Sequence, residues 1–357
     1  MVAAPARVAL FTLGGTIAMT PNPVGGITPT LSAADLTAAI PGLADADVAL
    51  DLFDFRQKPG ASLTFDDLRA LAAAMQKQDD DGVAGIVVTQ GTDTIEETSY
   101  TLDLLYTGHA PVVVTGAMRN PSLAGADGPA NVLAAIQTAA CGHLAGGGVV
   151  VAFSDEIHAA RRVRKTHSTS TATFASPNGG PLGYLVEGHP HLINCVPGRT
   201  VVPGQTRPAR VALVTLSLND DGELLTGIAD RFDGLVVAGF GVGHVPLDLV
   251  VPLAELAERI PTVLASRTGA GPVLAQTYGF PGSERDLLGR GLIRAGFLDP
   301  YKARVLLHAT LAAGASRTEI VDAFAVAGGY ADPTTTWPWP QNTTARPTEK
   351  EISHARR

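Results

Sequence analysis

The chain has 357 residues, enough for about two domains, with 45% hydrophobic and 17% charged residues. That composition excludes general disorder, and a net charge of −8 weighs against a binder of nucleic-acid phosphates. Two cysteines, Cys141 and Cys195, exclude a disulfide framework, and no paired-cysteine or Cys/His spacing for zinc occurs.

The opening MVAAPARVAL carries one Arg and runs directly into a predicted strand, without the apolar stretch and small-residue cleavage site of a signal peptide. No apolar run approaches the roughly 20 residues that span a bilayer. A cytoplasmic protein with no membrane contact is therefore expected. Short runs rich in β-branched residues predict buried strands at 8–12, 85–89, 111–115 and 148–153. Between them, amphipathic Ala/Leu-rich stretches predict helices at 33–39, 65–78, 95–105 and 129–140. Ser32 with Asp35, and Thr64 with Asp67, have the spacing of helix N-caps followed three residues on by an acid. Apolar strands alternating with helices predict an α/β fold with a mainly parallel sheet covered on both faces.

From 187 to 208 the pattern stops among several Pro and Gly residues, which predicts a linker after an N-terminal α/β domain at 1–186. Strands then resume at 210–216, 235–238 and 262–266, with a helix at 303–313. This gives a second, smaller α/β domain at 209–330. Residues 331–357 are polar, Pro-rich and non-periodic, and predict a disordered tail that contains both tryptophans, Trp337 and Trp339. His189 and His191 lie in the linker with no third ligand in view and read as solvated side chains.

Ligands of doubly wound sheets bind at the carboxyl ends of the strands. The first strand feeds Leu13-Gly14-Gly15-Thr16-Ile17-Ala18, and the second feeds Gln90-Gly91-Thr92-Asp93-Thr94-Ile95-Glu96-Glu97. The strand at 148–153 leads to Arg161-Arg162-Val163-Arg164-Lys165-Thr166. Hydroxyls, a carboxylate and an amine on one sheet edge suit nucleophilic acyl transfer: a Lys can deprotonate a Thr hydroxyl, an Asp can orient the Lys, and Gly-rich backbone can hold an oxyanion. Bland readings stand beside this one. Gly14-Gly15 also suits a tight turn, although neither G-x-G-x-x-G nor a Walker motif is met. Thr94 to Glu97 has the spacing of a capping box, and Lys165 sits in a basic run that reads as a solvated face.

The two Gly/Thr segments together resemble the paired signatures of the bacterial-type L-asparaginase family. Thr115-Gly116-Ala117-Met118-Arg119, Ala126-Asp127-Gly128-Pro129-Ala130-Asn131, Gly180-Pro181-Leu182-Gly183-Tyr184 and Asp299-Pro300-Tyr301-Lys302-Ala303-Arg304 agree with it, in order from about residue 7 to 329. The resemblance implies hydrolysis of asparagine to aspartate and ammonia without a cofactor, by a small-molecule enzyme assembled as a dimer or tetramer. It implies Thr16 as the nucleophile, with Thr92, Asp93 and Lys165 as the activating triad. It places Gly15, Gly91, Ala117 and Ser62 around the substrate. A catalytically weak amino-acid-binding protein and an amidotransferase subunit share the fold and stay as alternatives.

Three positions depart from the family pattern. Leu13 stands where many members carry Thr. The lid candidate at 19–30 has no tyrosine, the first in the chain being Tyr100, and offers Thr20, Asn22 and Thr28 instead. The loop Gln57 to Thr64 lacks the usual Ser followed by Gln or Glu, which leaves Ser62, Lys58 or backbone to hold the substrate's α-groups.

Overall fold

A computed structural model describes residues 4–15, 17, 19–21, 27–29, 32–195, 198–204 and 206–340. Strand β1 (Ala6–Thr12) is followed by a short antiparallel pair, β2 (Met19–Pro21) and β3 (Ile27–Pro29). Helices and strands then alternate: α1 (Ala33–Ala38), β4 (Val48–Asp54), α2 (Phe65–Asp80), β5 (Gly85–Thr89), α3 (Ile95–Leu105), β6 (Val112–Thr115), α4 (Gly128–Ala140) and β7 (Val149–Phe153). Five short strands follow: β8 (Glu156–Ala159), β9 (Arg164–Lys165), β10 (Phe174–Ala175), β11 (Gly183–Val186) and β12 (His189–Leu192).

These strands form an eight-stranded sheet in the order β12-β11-β8-β7-β6-β5-β1-β4, with β9 and β10 paired separately. The strands from β4 to β7 run parallel, and β8, β11 and β12 join antiparallel. Alternation of side chains across the sheet explains the two cores. Ala9, Phe11, Ile86 and Val88 pack under α2 and α3, while Val8, Leu10 and Val87 pack under α1 and α4. Every residue of β5, β6 and β7 is buried, as continuous apolar runs require of strands covered on both faces. The expected caps form: Ser32 with Asp35 and Thr64 with Asp67 are both reciprocal capping boxes.

The second domain holds β13 (Val211–Thr215), α5 (Ile228–Arg231), β14 (Gly234–Gly239), α6 (Val250–Arg259), β15 (Thr262–Ser266), α7 (Glu284–Gly289), β16 (Ile293–Arg294), α8 (Pro300–Ala312), α9 (Arg317–Ala327) and α10 (Pro333–Thr336). Its sheet, β13-β14-β15-β16, is wholly parallel. Helix α8 is buried on almost every side because it lies between this sheet and α3 of the first domain; Tyr100 and Leu104 of α3 share one apolar cluster with Val305, Leu306 and Leu307.

Two expectations need correction. The segment at 187–208 is not a free linker. His189–Leu192 pairs with β11, Val202 is buried with its N–H donating to the Leu104 carbonyl at 2.8 Å, and Arg199 donates to the Gly108 carbonyl at 2.7 Å. Its described Pro and Gly residues punctuate a strap rather than loosen it. The part of the expected disordered tail at 331–340 is packed: Asp332 caps α10, Trp337 is buried with its indole N–H donating to the Val201 carbonyl at 2.9 Å, and Trp339 meets it edge-on. Residues 341–357 lie outside the described residues.

Candidate active site

Strand order locates the site before any side chain is considered. Strands β4 and β5 lie on opposite sides of β1, so the chain reverses its direction of travel across the sheet between β1 and β5. Loops leaving such a switch point diverge and open a crevice at the carboxyl ends of the strands. The two loops that leave it here are the Gly14-Gly15 segment and the Gln90 to Thr94 segment.

These loops touch backbone to backbone. Leu13 N–H donates to the Thr89 carbonyl at 2.9 Å. Gly15 has φ +90°, and a Cβ there would lie 2.1 Å from the Gly91 nitrogen, so only glycine allows the approach. The loop after β4 joins them: Lys58 N–H donates to the Leu13 carbonyl at 2.9 Å, and Thr94 Oγ1 donates to the Gly60 carbonyl at 3.0 Å. Thr94 thus spends its hydroxyl on the neighbouring loop and makes no side-chain cap for α3, contrary to the capping-box reading.

Thr16 itself lies outside the described residues, between Gly15 and Ile17. The other three members of the expected set are brought together. Lys165 Nζ donates to Thr92 Oγ1 at 2.9 Å and to Asp93 Oδ1 at 2.8 Å. Thr92 is buried and the Lys165 side chain nearly so, while Asp93 is open to solvent. Lys165 is no solvated basic face, although 72 residues separate it from Asp93. An amine between a buried hydroxyl and a carboxylate can shuttle a proton while keeping its position.

The substrate-side residues divide. Gly15 and Gly91 form the backbone contact just described. Ala117 is buried after β6, one strand further along the same edge. Ser62 is exposed in the turn Gly60–Ser62, whose first residue abuts Gly91. The Lys58 ammonium pairs with Asp67 Oδ2 at 2.7 Å, and Arg56 pairs with the other oxygen at 2.9 Å. Those partners hold the Asp67 carboxyl far below the usual carboxylate range, Lys58 most of all. Of the lid expected at 19–30, the described parts are β2 and β3, paired with Thr20 opposite Thr28.

Several supporting residues carried no role in the sequence reading. Asp127 accepts from the N–H groups of Met118 at 3.0 Å and Arg119 at 2.8 Å, and Asn131 donates to the Gly116 carbonyl at 3.0 Å. Together they hold the loop that carries Ala117. The motif Ala126 to Asn131 was visible, but its partners eight to fifteen residues away were not. Glu96, behind the triad, is pushed up to about 7 by burial, against the pull of Lys302 and Arg164.

Comparison with known proteins agrees along the chain. Residues 7–196 match the family model described as Asparaginase, N-terminal, and residues 210–324 match the Glutaminase/Asparaginase C-terminal domain. The chain is 37% identical over 325 residues to a protein named "Probable L-asparaginase" from Deinococcus radiodurans, covering 90% of this chain and 97% of that one. It is 33% identical over 309 residues to an "L-asparaginase" of Bacillus licheniformis, covering 86% and 95%. A crystal structure of a probable cytoplasmic L-asparaginase from Campylobacter jejuni superposes with a TM-score of 0.79 at 31% identity, covering 89% of this chain and 99% of that one.

Proposed function

The chain belongs to the bacterial-type asparaginase family, and from that premise we propose that it hydrolyses L-asparagine to L-aspartate and ammonia by threonine nucleophilic catalysis. The observation that carries the mechanism is the Lys165 amine seated on Thr92 and Asp93, beside the Gly15–Gly91 contact at the switch point.

The Thr16 hydroxyl attacks the side-chain amide carbon. Its proton passes to the Thr92–Lys165 pair, with Asp93 keeping the amine in place. Backbone N–H groups of the Gly15 and Gly91 loops face the developing oxyanion. The proton returns to the departing nitrogen, ammonia leaves, and a water activated by the same pair cleaves the aspartyl ester, restoring the threonine. A second reading makes Thr92 the nucleophile, because its hydroxyl is the one bonded to Lys165. The assembled triad argues against an amino-acid-binding protein without turnover, and no feature favours the amidotransferase subunit. Asparagine and glutamine differ by one methylene, a difference worth about 1–3 kcal/mol to a pocket, so asparagine is preferred with measurable glutamine hydrolysis. A cytoplasmic homo-oligomer, dimer or tetramer, completes the proposal. No helix among the described residues is long and apolar enough to cross a membrane.

Ammonia release from asparagine by the purified chain tests the reaction. Thr16→Ala should retain the fold and lose at least about a thousandfold in kcat. Acid-quenched mass spectrometry should find an aspartyl adduct on the peptide containing Thr16. An adduct on the Thr92 peptide would assign the second reading, and no ammonia from asparagine would overturn both.

A further inference from the structure

Lys165 sits on β9, a strand of two residues whose only ladder partner among the described residues is β10. So short a strand does not fix an amine by itself. The second domain grips it at two points. Lys302, on α8, is 0% exposed, and its ammonium donates to the carbonyl of Val163, two residues before Lys165. The same ammonium donates to Asp299 Oδ2 at 3.2 Å and lies 4.0 Å from Glu96 Oε2. Arg164, immediately before Lys165, donates from Nη1 to the Gly269 carbonyl at 2.6 Å, in the loop after β15. Its Nε lies 3.9 Å from Glu96 Oε2, and both atoms are buried without a hydrogen bond.

Plain packing of α8 on α3 does not call for these residues. A buried ammonium costs several kcal/mol before its partners repay it, and an apolar side chain of similar volume often stabilises as well or better. Lys302 instead divides its ammonium between the carboxylates of Asp299 and Glu96 and one backbone carbonyl of the segment that ends in Lys165. Successive side chains of a strand point to opposite faces, so Arg164 anchors β9 on one side while Lys165 reaches Thr92 on the other.

We propose that Lys302 and Arg164 are positioning residues for Lys165, through which the second domain sets the place of the reacting amine. The clamp touches neither substrate nor reacting atoms; it acts through the backbone from Val163 to Lys165. The inference rests on the reading that Lys165 serves the reaction, and Lys165→Ala separates the two.

The experiment compares full-length Arg164→Gln, Arg164→Lys, Lys302→Met and Lys165→Ala by steady-state kinetics on asparagine, with thermal unfolding of each. Arg164→Gln should lose about tenfold to a hundredfold in kcat, the cost of a misplacement of about 1 Å, with KM within about twofold. Arg164→Lys should recover part of kcat, and Lys302→Met should show the same split of kcat from KM. A purely structural role would lower the unfolding temperature and leave kcat of the folded fraction unchanged. Arg164→Gln with wild-type kcat, while Lys165→Ala is inactive, would overturn the inference; full activity in Lys165→Ala would overturn the reading of the site instead. Should Lys302→Met not fold, Arg164→Gln decides alone.

Discussion

Gly15 carries the most stringent local requirement in the candidate site. It holds φ +90°, where a side chain is strained, and any Cβ would run into the Gly91 backbone at 2.1 Å. Backbone on the far side cannot swing away as a flexible side chain would, so the two loops must part. Gly15→Ala is expected to fold and to lose at least about a hundredfold in kcat/KM, since displacement of about 1 Å is enough for that. Ammonia release from the soluble variant checks it, and near-normal turnover would mean that the loop contact does not position the nucleophile. The requirement was legible as a Gly-Gly pair after a strand, but the sequence did not distinguish a tight turn from a close approach, because the atom it approaches lies 76 residues away.

The loop after β4 and the start of α2 behave as one unit through Asp67. Its carboxylate closes the capping box with Thr64 and holds both Arg56 and Lys58. Asp67→Asn is expected to cost about 1–3 kcal/mol, the loss of a cap and of charge-assisted hydrogen bonds, and to raise KM by loosening the turn that carries Ser62. The sign of the pH effect follows from the depressed carboxyl. Its stabilisation is present above the unfolded value of about 3.9 and is lost as pH falls below it towards the lower folded value. The gap in unfolding temperature between wild type and Asp67→Asn should therefore narrow below about pH 4; a constant gap would show that the carboxylate's charge is not what staples the loop. The capping box was readable from Thr64 and Asp67 alone. The two cations were not, because Lys58 looked equally suited to a ligand.

The two domains are joined by more than their connecting strap. Tyr100 and Leu104 of α3 enter the same cluster as α8, α9 and Trp337, and the Trp337 indole donates to Val201 in the strap. Trp337→Ala removes a large buried side chain and a hydrogen bond. It should destabilise the protein by about 3–5 kcal/mol, read as a lower denaturant midpoint by circular dichroism. An unchanged midpoint would return this segment to the status of a free tail. Clamping by Lys302 and Arg164 belongs to the same seam, so damage there should reach the chemistry as well as the stability.

Periodic segments were legible from local pattern: β5, α3 and β15 have the bounds the apolar runs predict, and the parallel first sheet follows from strands buried on both faces. The resemblance to the asparaginase signatures singled out Thr92, Asp93 and Lys165, which the residue pattern by itself left beside a helix cap and a solvated basic face. Segments without a period of their own were not legible. Strand β4 pairs with β1 at the sheet edge and mixes acids with half-buried apolar residues, β12 hides among Pro and Gly, and Trp337 follows a four-residue helix. Their order comes from partners outside the segment itself, as do the roles of Asp127, Asn131, Arg164 and Lys302. Local propensity records what a segment prefers by itself, and these residues are placed by what folding brings against them.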